Sequence, residues 1–263
     1  MSPTVPAVHL TARDGAVDMP LLGLGTWQAR GEEAYRMVRT ALELGYRHLD
    51  TATMYGNEAE IGRALTDSGL AREDVFVTTK CPPERVGRED ETLERSLSDL
   101  ALDHVDLWLV HWPPRGDNAG VRMWERVVAA QEAGRARAIG VSNYSPDLID
   151  ELVGATGVSP AVDQVPWSPS DHDAALVDAL RERGVVLEGY SPFKRTDMDD
   201  PVLAKVAAAH DATPQQVVLR WHVQHGYVVI PKSVHADRLE ANLAAADLDL
   251  TDEEMAAVDA LGS

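Results

Sequence analysis

Only one cysteine, Cys81, occurs in 263 residues. No intrachain disulfide can form, and a cysteine-rich zinc centre is excluded. Bases are also scarce, with 24 Lys and Arg against 43 Asp and Glu and a formal net charge of -19. Sequence-blind nucleic-acid binding and docking on anionic lipid both need positive surface, so neither is expected. No apolar run approaches the roughly eighteen residues of a membrane span. Met1 to Gly15 lacks the basic start and apolar core of a secretory signal, and a cytoplasmic location is expected. There is no low-complexity stretch and no Ser/Gly linker. Residues 1–263 read as one domain, a length that suits a single α/β barrel of about 250 residues.

What is present is an alternation of short apolar runs with helix-like segments. The runs begin near Leu21, Arg47, Val75, Val105, Ala136, Ala161, Val185 and Tyr227. The first seven are 24 to 31 residues apart, the length of one βα unit with short loops. The last gap, 42 residues, has room for an extra short helix. Eight such units predict a closed (β/α)8 barrel of the α/β class. Val105 to Val110 reads as a buried parallel strand. Asn57-Glu58-Ala59-Glu60 and Thr213-Pro214-Gln215-Gln216 read as capped helix starts. Val8 to Met19, with Asp14-Gly15 between alternating segments, predicts a hairpin plugging the bottom of the barrel. Thr251 to Leu261 predicts a short final helix.

Active sites of such barrels form at the C-terminal ends of the strands. After the eight runs stand, in turn, Gly25-Thr26-Trp27, Asp50 with Tyr55, Lys80, His111-Trp112, Ser142-Asn143, Gln164, Tyr190-Ser191 and Lys232-Ser233. A free tyrosine, with a pKa near 10, is a poor proton donor and acceptor at neutrality. A lysine ammonium at about 4 Å is worth roughly 4 kcal/mol at an effective dielectric near 20, enough to bring Tyr55 near 7. Asp50 would hold Lys80 charged, and His111 would orient a carbonyl oxygen. This is the proton half of a carbonyl reduction, and the hydride must come from a cofactor. Gly23-x-Gly25 lacks the third glycine of a dinucleotide fingerprint, because position 28 is Gln. Instead Lys232-Ser233 and Arg238 cluster between the last run and a helix start. That is a phosphomonoester site, pointing to NADPH/NADP+ rather than NADH.

These stretches together resemble the aldo-keto reductases, over about residues 8 to 260. They are Gly23-Leu24-Gly25-Thr26-Trp27, Leu49-Asp50-Thr51-Ala52 through Tyr55-Gly56-Asn57-Glu58, Val77-Thr78-Thr79-Lys80, Leu109-Val110-His111-Trp112-Pro113, Ile139-Gly140-Val141-Ser142-Asn143, Tyr190-Ser191-Pro192 and Val229-Ile230-Pro231-Lys232-Ser233-Val234. The chain is similar to the small bacterial branch that includes the diketogluconate reductases. The resemblance implies NADPH-dependent reduction of an aldehyde or ketone by transfer of the pro-R hydride. It implies Tyr55 as proton donor, tuned by Lys80 and Asp50, with His111 orienting the substrate. It assigns Ser142, Asn143 and Gln164 to the nicotinamide carboxamide, and Tyr190 to stacking on the ring. Gly25, Thr26, Ser191 and Phe193 would approach the pyrophosphate and ribose. Lys232, Ser233 and Arg238 would hold the 2′-phosphate and Asn242 the adenine, with Val234 a further cofactor-binding residue. Trp27, Met54 and Trp112 would wall the substrate pocket. The partner is then a small carbonyl compound, and the family is often monomeric.

The chain departs from the family pattern in places. Asp163-Gln164-Val165-Pro166 stands where Asn-Gln-Val-Glu is frequent, Ala241 replaces a glutamate near the adenine, and Phe193-Lys194-Arg195 replaces a Leu-Gly. Lys194 and Arg195 could serve the pyrophosphate or an acidic substrate. The short C-terminus implies an open, shallow pocket. The competing readings are a catalytically weak NADPH-binding sensor or regulatory barrel, and a metal-dependent hydrolase suggested by His48-x-Asp50. The latter lacks further ligands on the other strand ends, so no metal is expected. His222 and His225 are expected on an outer helix face, Cys81 as an inert pocket-wall thiol, and Trp108, Trp124 and Trp221 in the core.

Overall fold

The computed structural model describes residues 5–13 and 15–262. The chain opens on strands β1 (Ala7–Ala12) and β2 (Gly15–Pro20), which pair antiparallel from Ala7 opposite Pro20 to Ala12 opposite Gly15. This is the expected hairpin; Asp14, expected in its turn, lies outside the described residues. Leu10, Val17 and Met19 are buried beneath it. Arg13 N–H donates to the Arg137 carbonyl at 3.3 Å, which ties the hairpin to the strands' N-terminal ends.

There follow β3 (Leu24–Gly25), α1 (Gly31–Leu44), β4 (His48–Asp50), α2 (Glu58–Ser68), β5 (Phe76–Cys81), α3 (Glu89–Leu100), β6 (Val105–Val110) and α4 (Ala119–Glu132). The second half runs β7 (Ala136–Ser142), α5 (Pro146–Thr156), β8 (Val162–Pro166), α6 (Ala174–Glu182), β9 (Val186–Tyr190), α7 (Pro201–Ala209), α8 (Pro214–Gln224), β10 (Val228–Val229), α9 (Ala236–Ala244) and α10 (Asp252–Asp259). Strands β3 to β10 form one 8-stranded parallel sheet in chain order. It closes through a parallel bridge between Leu22 and Val229. Val229 N–H donates to Leu21 at 2.7 Å, and Gly23 N–H to Val229 at 2.9 Å. The (β/α)8 barrel and its plug are therefore as expected, and the long gap before β10 carries both α7 and α8.

Local chemistry explains most of the element boundaries. All six residues of β6 are buried, as a parallel strand between a packed barrel interior and outer helices requires. Thr213 and Thr251 each form a full capping box with Gln216 and Glu254. Asn57 does not cap α2 with its side chain. Its amide donates to the Thr26 and Ala29 carbonyls at 2.9 and 3.0 Å, and its oxygen accepts from Thr51 Oγ1 at 2.9 Å. Three buried bonds outweigh one exposed cap, so Asn57 locks the loop after β3 to the loop after β4. His222 also corrects the expectation, because α8 is wedged against α7 and α9 and buries nearly its whole circumference. His222 is buried, with Nδ1 at 2.7 Å from the Val218 carbonyl, and burial pushes its pKa down to about 4. Trp108, Trp124 and Trp221 are core residues as expected.

Candidate active site

The strands deliver Asp50, Tyr55, Lys80 and His111 to one place. Asp50 ends β4, and Lys80 points inward from the end of β5. The single helical turn Thr53–Tyr55 carries the tyrosine and is anchored by Thr53 Oγ1 donating to the Lys80 carbonyl at 2.9 Å. Lys80 is fully buried, and its ammonium has three partners for three protons. Nζ donates to Asp50 Oδ1 at 2.6 Å, to the Thr51 carbonyl at 2.9 Å and to Tyr55 Oη at 3.4 Å. Burial alone would lower its pKa, but Asp50 first, then Tyr55 and Glu188, hold the ammonium charged and shift it upward.

Tyr55 corrects the electrostatic expectation. Its pKa lies above the ordinary value rather than near 7, because burial raises it by more than Lys80 lowers it. A Coulomb sum at fixed dielectric omits that desolvation cost. Since Lys80 donates to Oη, the Tyr55 O–H is free to point into the cavity. His111 stands edge-on to Tyr55, ring centroids 5.7 Å apart. Burial, then Lys80, pushes its pKa down to about 3, so the imidazole is neutral. Its Nδ1 is buried without a partner. A proton there would be an orphaned donor, which assigns the hydrogen to Nε2.

Ser142, Asn143, Gln164 and Tyr190 form a second group on adjacent strands. Ser142 Oγ donates to the Gln164 carbonyl at 2.8 Å and accepts from Asn143 Nδ2 at 2.8 Å. Tyr190 Oη donates to Asn143 Oδ1 at 2.9 Å. Asn143 and Ser191 adopt positive φ, 63° and 56°, a left-handed conformation more costly for Ser than for Asn. Gln164 Nε2 donates to both Asp50 Oδ2 at 2.8 Å and Glu188 Oε2 at 2.9 Å. Two carboxyl oxygens as acceptors fix the amide orientation and leave Gln164 Oε1 free to accept.

A cavity of about 620 Å³ opens over these groups. Its walls at the mouth are Trp27, Met54 and Trp112, exposed by 58%, 57% and 46%. Phe193, Lys194 and Lys232 also line it. Gly25 also lines it, at a position that admits no side chain: a Cβ would stand 2.9 Å from the Ile230 carbonyl oxygen. Thr26 is brought close but not into the cavity, being buried with Oγ1 donating to the Asp50 carbonyl at 3.0 Å. Ser233, Val234, Arg238 and Asn242 follow β10 beyond the cavity, Ser233 and Asn242 buried and Arg238 exposed. Arg195 is paired with Asp171 at 2.6 Å and does not face the cavity. Cys81 is buried in apolar packing rather than on the pocket wall, and burial pushes its thiol up to about 12.

Glu188 and Asp163 are buried acids to which the sequence pattern assigned no role. Glu188 interrupts the apolar run of β9 and is fully buried on the same face as Tyr190. That two-residue alternation was the available signal. Asp163 on β8 accepts from the Tyr144 N–H at 3.4 Å, and burial pushes its pKa up to about 8. His48 is buried beside Glu188, with Nδ1 at 3.2 Å from the Pro20 carbonyl. Among the described residues no three His, Cys, Asp or Glu side chains gather as a metal site, and no helix is long and apolar enough to cross a membrane.

Comparison with known proteins bears on the whole chain. The profile described as "Aldo/keto reductase family" matches residues 21–263. The chain is similar to glycerol 2-dehydrogenase (NADP(+)) of Saccharomyces cerevisiae, 37% identical over 93% of this chain and 88% of that one. Its fold is similar to the crystal structure of an aldo/keto reductase from Brucella melitensis, with a TM-score of 0.93 and 35% identity over 98% of this chain and 100% of that one. It is also similar to an aldo-keto reductase of Bombyx mori solved in complex with NADP, with a TM-score of 0.89 and 30% identity over 98% and 94% of the two chains. The chain belongs to the aldo/keto reductase family, and it is an NADP-dependent oxidoreductase acting on small-molecule carbonyl chemistry.

Proposed function

We propose that this protein reduces an aldehyde or ketone with Tyr55 as the proton donor, and that the carbonyl compound is apolar on one side of the reacting group. The observation that carries the reading is the Tyr55 hydroxyl on the cavity floor, backed by a saturated Lys80–Asp50 pair. When bound, NADPH supplies the hydride that adds to the carbonyl carbon. The Tyr55 O–H and His111 Nε2–H converge on the oxygen that gains charge. Burial keeps Tyr55 protonated at neutrality, which is the form that reduction consumes. Lys80 then stabilises the phenolate that remains.

The residues fit that cofactor. Gln164 keeps Oε1 for an amide donor while its nitrogen is committed below, and Tyr190 offers a half-buried ring beside it. Lys232 and Arg238 are exposed cations in an acidic chain and, among the described residues, neither pairs with a carboxylate. They suit a phosphate, with Ser233, Val234 and Asn242 on the same segment. Trp27, Met54 and Trp112 suit an apolar substrate body. The plug and the barrel share one continuous core, which supports a single domain over residues 1–263.

The test is Tyr55→Phe. Carbonyl reduction is expected to fall about 100-fold or more, while NADPH binding, read by quenching of tryptophan fluorescence, is retained. A Tyr55→Phe protein with full turnover refutes the assignment.

A further inference from the structure

Beneath the reacting groups the buried polar side chains continue past those that catalysis as described uses. They run from Lys80 to Asp50, through Gln164 to Glu188, and on to His48. Glu188 and His48 are both fully inaccessible. Glu188 Oε2 accepts from Gln164, but Oε1 has no hydrogen-bond partner. The group it faces is His48 Nε2, at 3.8 Å.

Burial disfavours an imidazolium at His48, and with that ring neutral the remaining protons can be placed from geometry. His48 Nδ1 lies 3.2 Å from the Pro20 carbonyl, which can only accept, so Nδ1 carries the hydrogen. In a neutral imidazole Nε2 is then a lone pair, to which the Thr78 hydroxyl donates weakly at 3.4 Å. An ionised Glu188 would set a second lone pair against it, as an unpartnered buried charge. It would also place two carboxylates on the two protons of one Gln164 amide, with Lys80 as the only cation. A hydrogen on Oε1 removes all three conflicts. The charged and titratable groups facing Glu188 are Asp50 and His48 from β4 and Lys80 from β5, while β8 contributes the neutral Gln164. The neighbouring β10 has only Val228 and Val229.

We propose that Glu188 is a positioning residue held as a neutral carboxylic acid, its Oε1–H directed at His48, and that its ionisation in alkali opposes the formation of the Tyr55 phenolate. The directions agree: burial and then Asp50 raise Glu188 above the usual carboxylate range, and burial lowers His48 to about 4. Charge on Glu188 raises Tyr55 in turn. Alcohol oxidation needs the phenolate as proton acceptor, so the reverse reaction is where the effect is read. This inference rests on the assignment of Tyr55 as the proton-transferring residue.

Two measurements test it. The pH profile of NADP+-dependent alcohol oxidation is compared in the parent and Glu188→Gln. With no charge able to develop, the rising limb of Glu188→Gln is expected at lower pH by about half a unit, roughly threefold in rate at a fixed pH on that limb. A superimposable limb, or one moved to higher pH, overturns the proposal. The second measurement uses unliganded protein labelled with carboxyl-13C glutamate. An infrared band of a protonated glutamate is expected at pH 7, titrating away in alkali and absent in Glu188→Gln. Glu58, also buried but accepting from Thr79 and Ser96, is subtracted with Glu58→Gln. If Glu188→Gln does not fold, the labelled parent still decides, because no titrating band at pH 7 overturns the proposal. The infrared result does not depend on turnover. A missing band beside a dead Tyr55→Phe refutes Glu188 alone, whereas an active Tyr55→Phe beside a present band refutes Tyr55.

Discussion

Asp50→Asn tests the electrostatic core of the site without changing its shape. Asp50 Oδ1 takes Lys80 at 2.6 Å and Oδ2 takes Gln164 at 2.8 Å, both buried. An asparagine has one acceptor and one NH2 group for these two donors, so a donor must face a donor. Lys80 meanwhile loses the partner that most opposes its desolvation. Breaking a buried pair from one side costs about 3–5 kcal/mol. The sign with pH is specific. In the parent, the raised Lys80 contributes stability that is present below the unfolded lysine value of about 10.4 and lost above it. In the variant, Lys80 is depressed and folds neutral, so unfolding takes up a proton and stability rises with pH by about 1.4 kcal/mol per unit until the unfolded lysine titrates. Urea unfolding of both proteins at pH 7 and 9 measures this. The deficit of Asp50→Asn should shrink as pH rises, and reductase turnover should fall about 100-fold or more at pH 7. Parallel stabilities at the two pH values, or a deficit under 1 kcal/mol in order of magnitude, would refute the reasoning.

Two further predictions concern the rim and the scaffold. Arg238→Ala removes one exposed cation from the phosphate segment, and a charge-assisted bond is worth about 1.5–3 kcal/mol. Fluorescence titration should show NADPH weakened about tenfold to a hundredfold and NADH little changed; equal losses would remove the 2′-phosphate assignment. Asp163, raised to about 8, keeps a proton when folded that it loses when unfolded above about 4, so its burial destabilises progressively as pH rises toward 8. Asp163→Asn removes that linkage. Its stability relative to the parent should improve by about 1.4 kcal/mol per unit between pH 5 and 7.5, read from urea midpoints. A constant difference would show that Asp163 is ionised in the folded protein.

The barrel was legible because parallel strands buried on both faces must be apolar runs, and βα units have a narrow range of lengths. The rim residues were legible for the same reason, since the end of each run is the place where polar groups begin. Other features were not, each for a physical cause. Asn57 stands where a helix cap should, and nothing local tells whether its amide turns to the helix or, as here, to Thr26 and Ala29. The acidity of Tyr55 depends on desolvation, which spacing does not encode. His222 looked like an outward residue because helices are usually half exposed, whereas α8 is enclosed. Glu188 is the instructive case: a charge inside an apolar strand invites the reading of an outward side chain, and only its register with Tyr190 pointed inward.

The closure of the sheet has a consequence for how the chain comes to be folded. Seven of the eight strand neighbours are consecutive in sequence, and each pairing becomes available as soon as its strand and crossover have left the ribosome. The eighth joins Leu22 to Val229, nearly the full length of the chain apart. Until β10 arrives, the growing sheet has two bare edges, the growing end and β3, whose unpaired N–H and C=O groups can recruit another chain. The ring is therefore sealed last and through its shortest strands, two residues each in β3 and β10. Long-range closure of this kind slows folding, so the burden falls on the time between synthesis of β3 and of β10. During that interval α1, which follows β3, and the hairpin, which covers the open end, are the elements in place to shield the waiting edge.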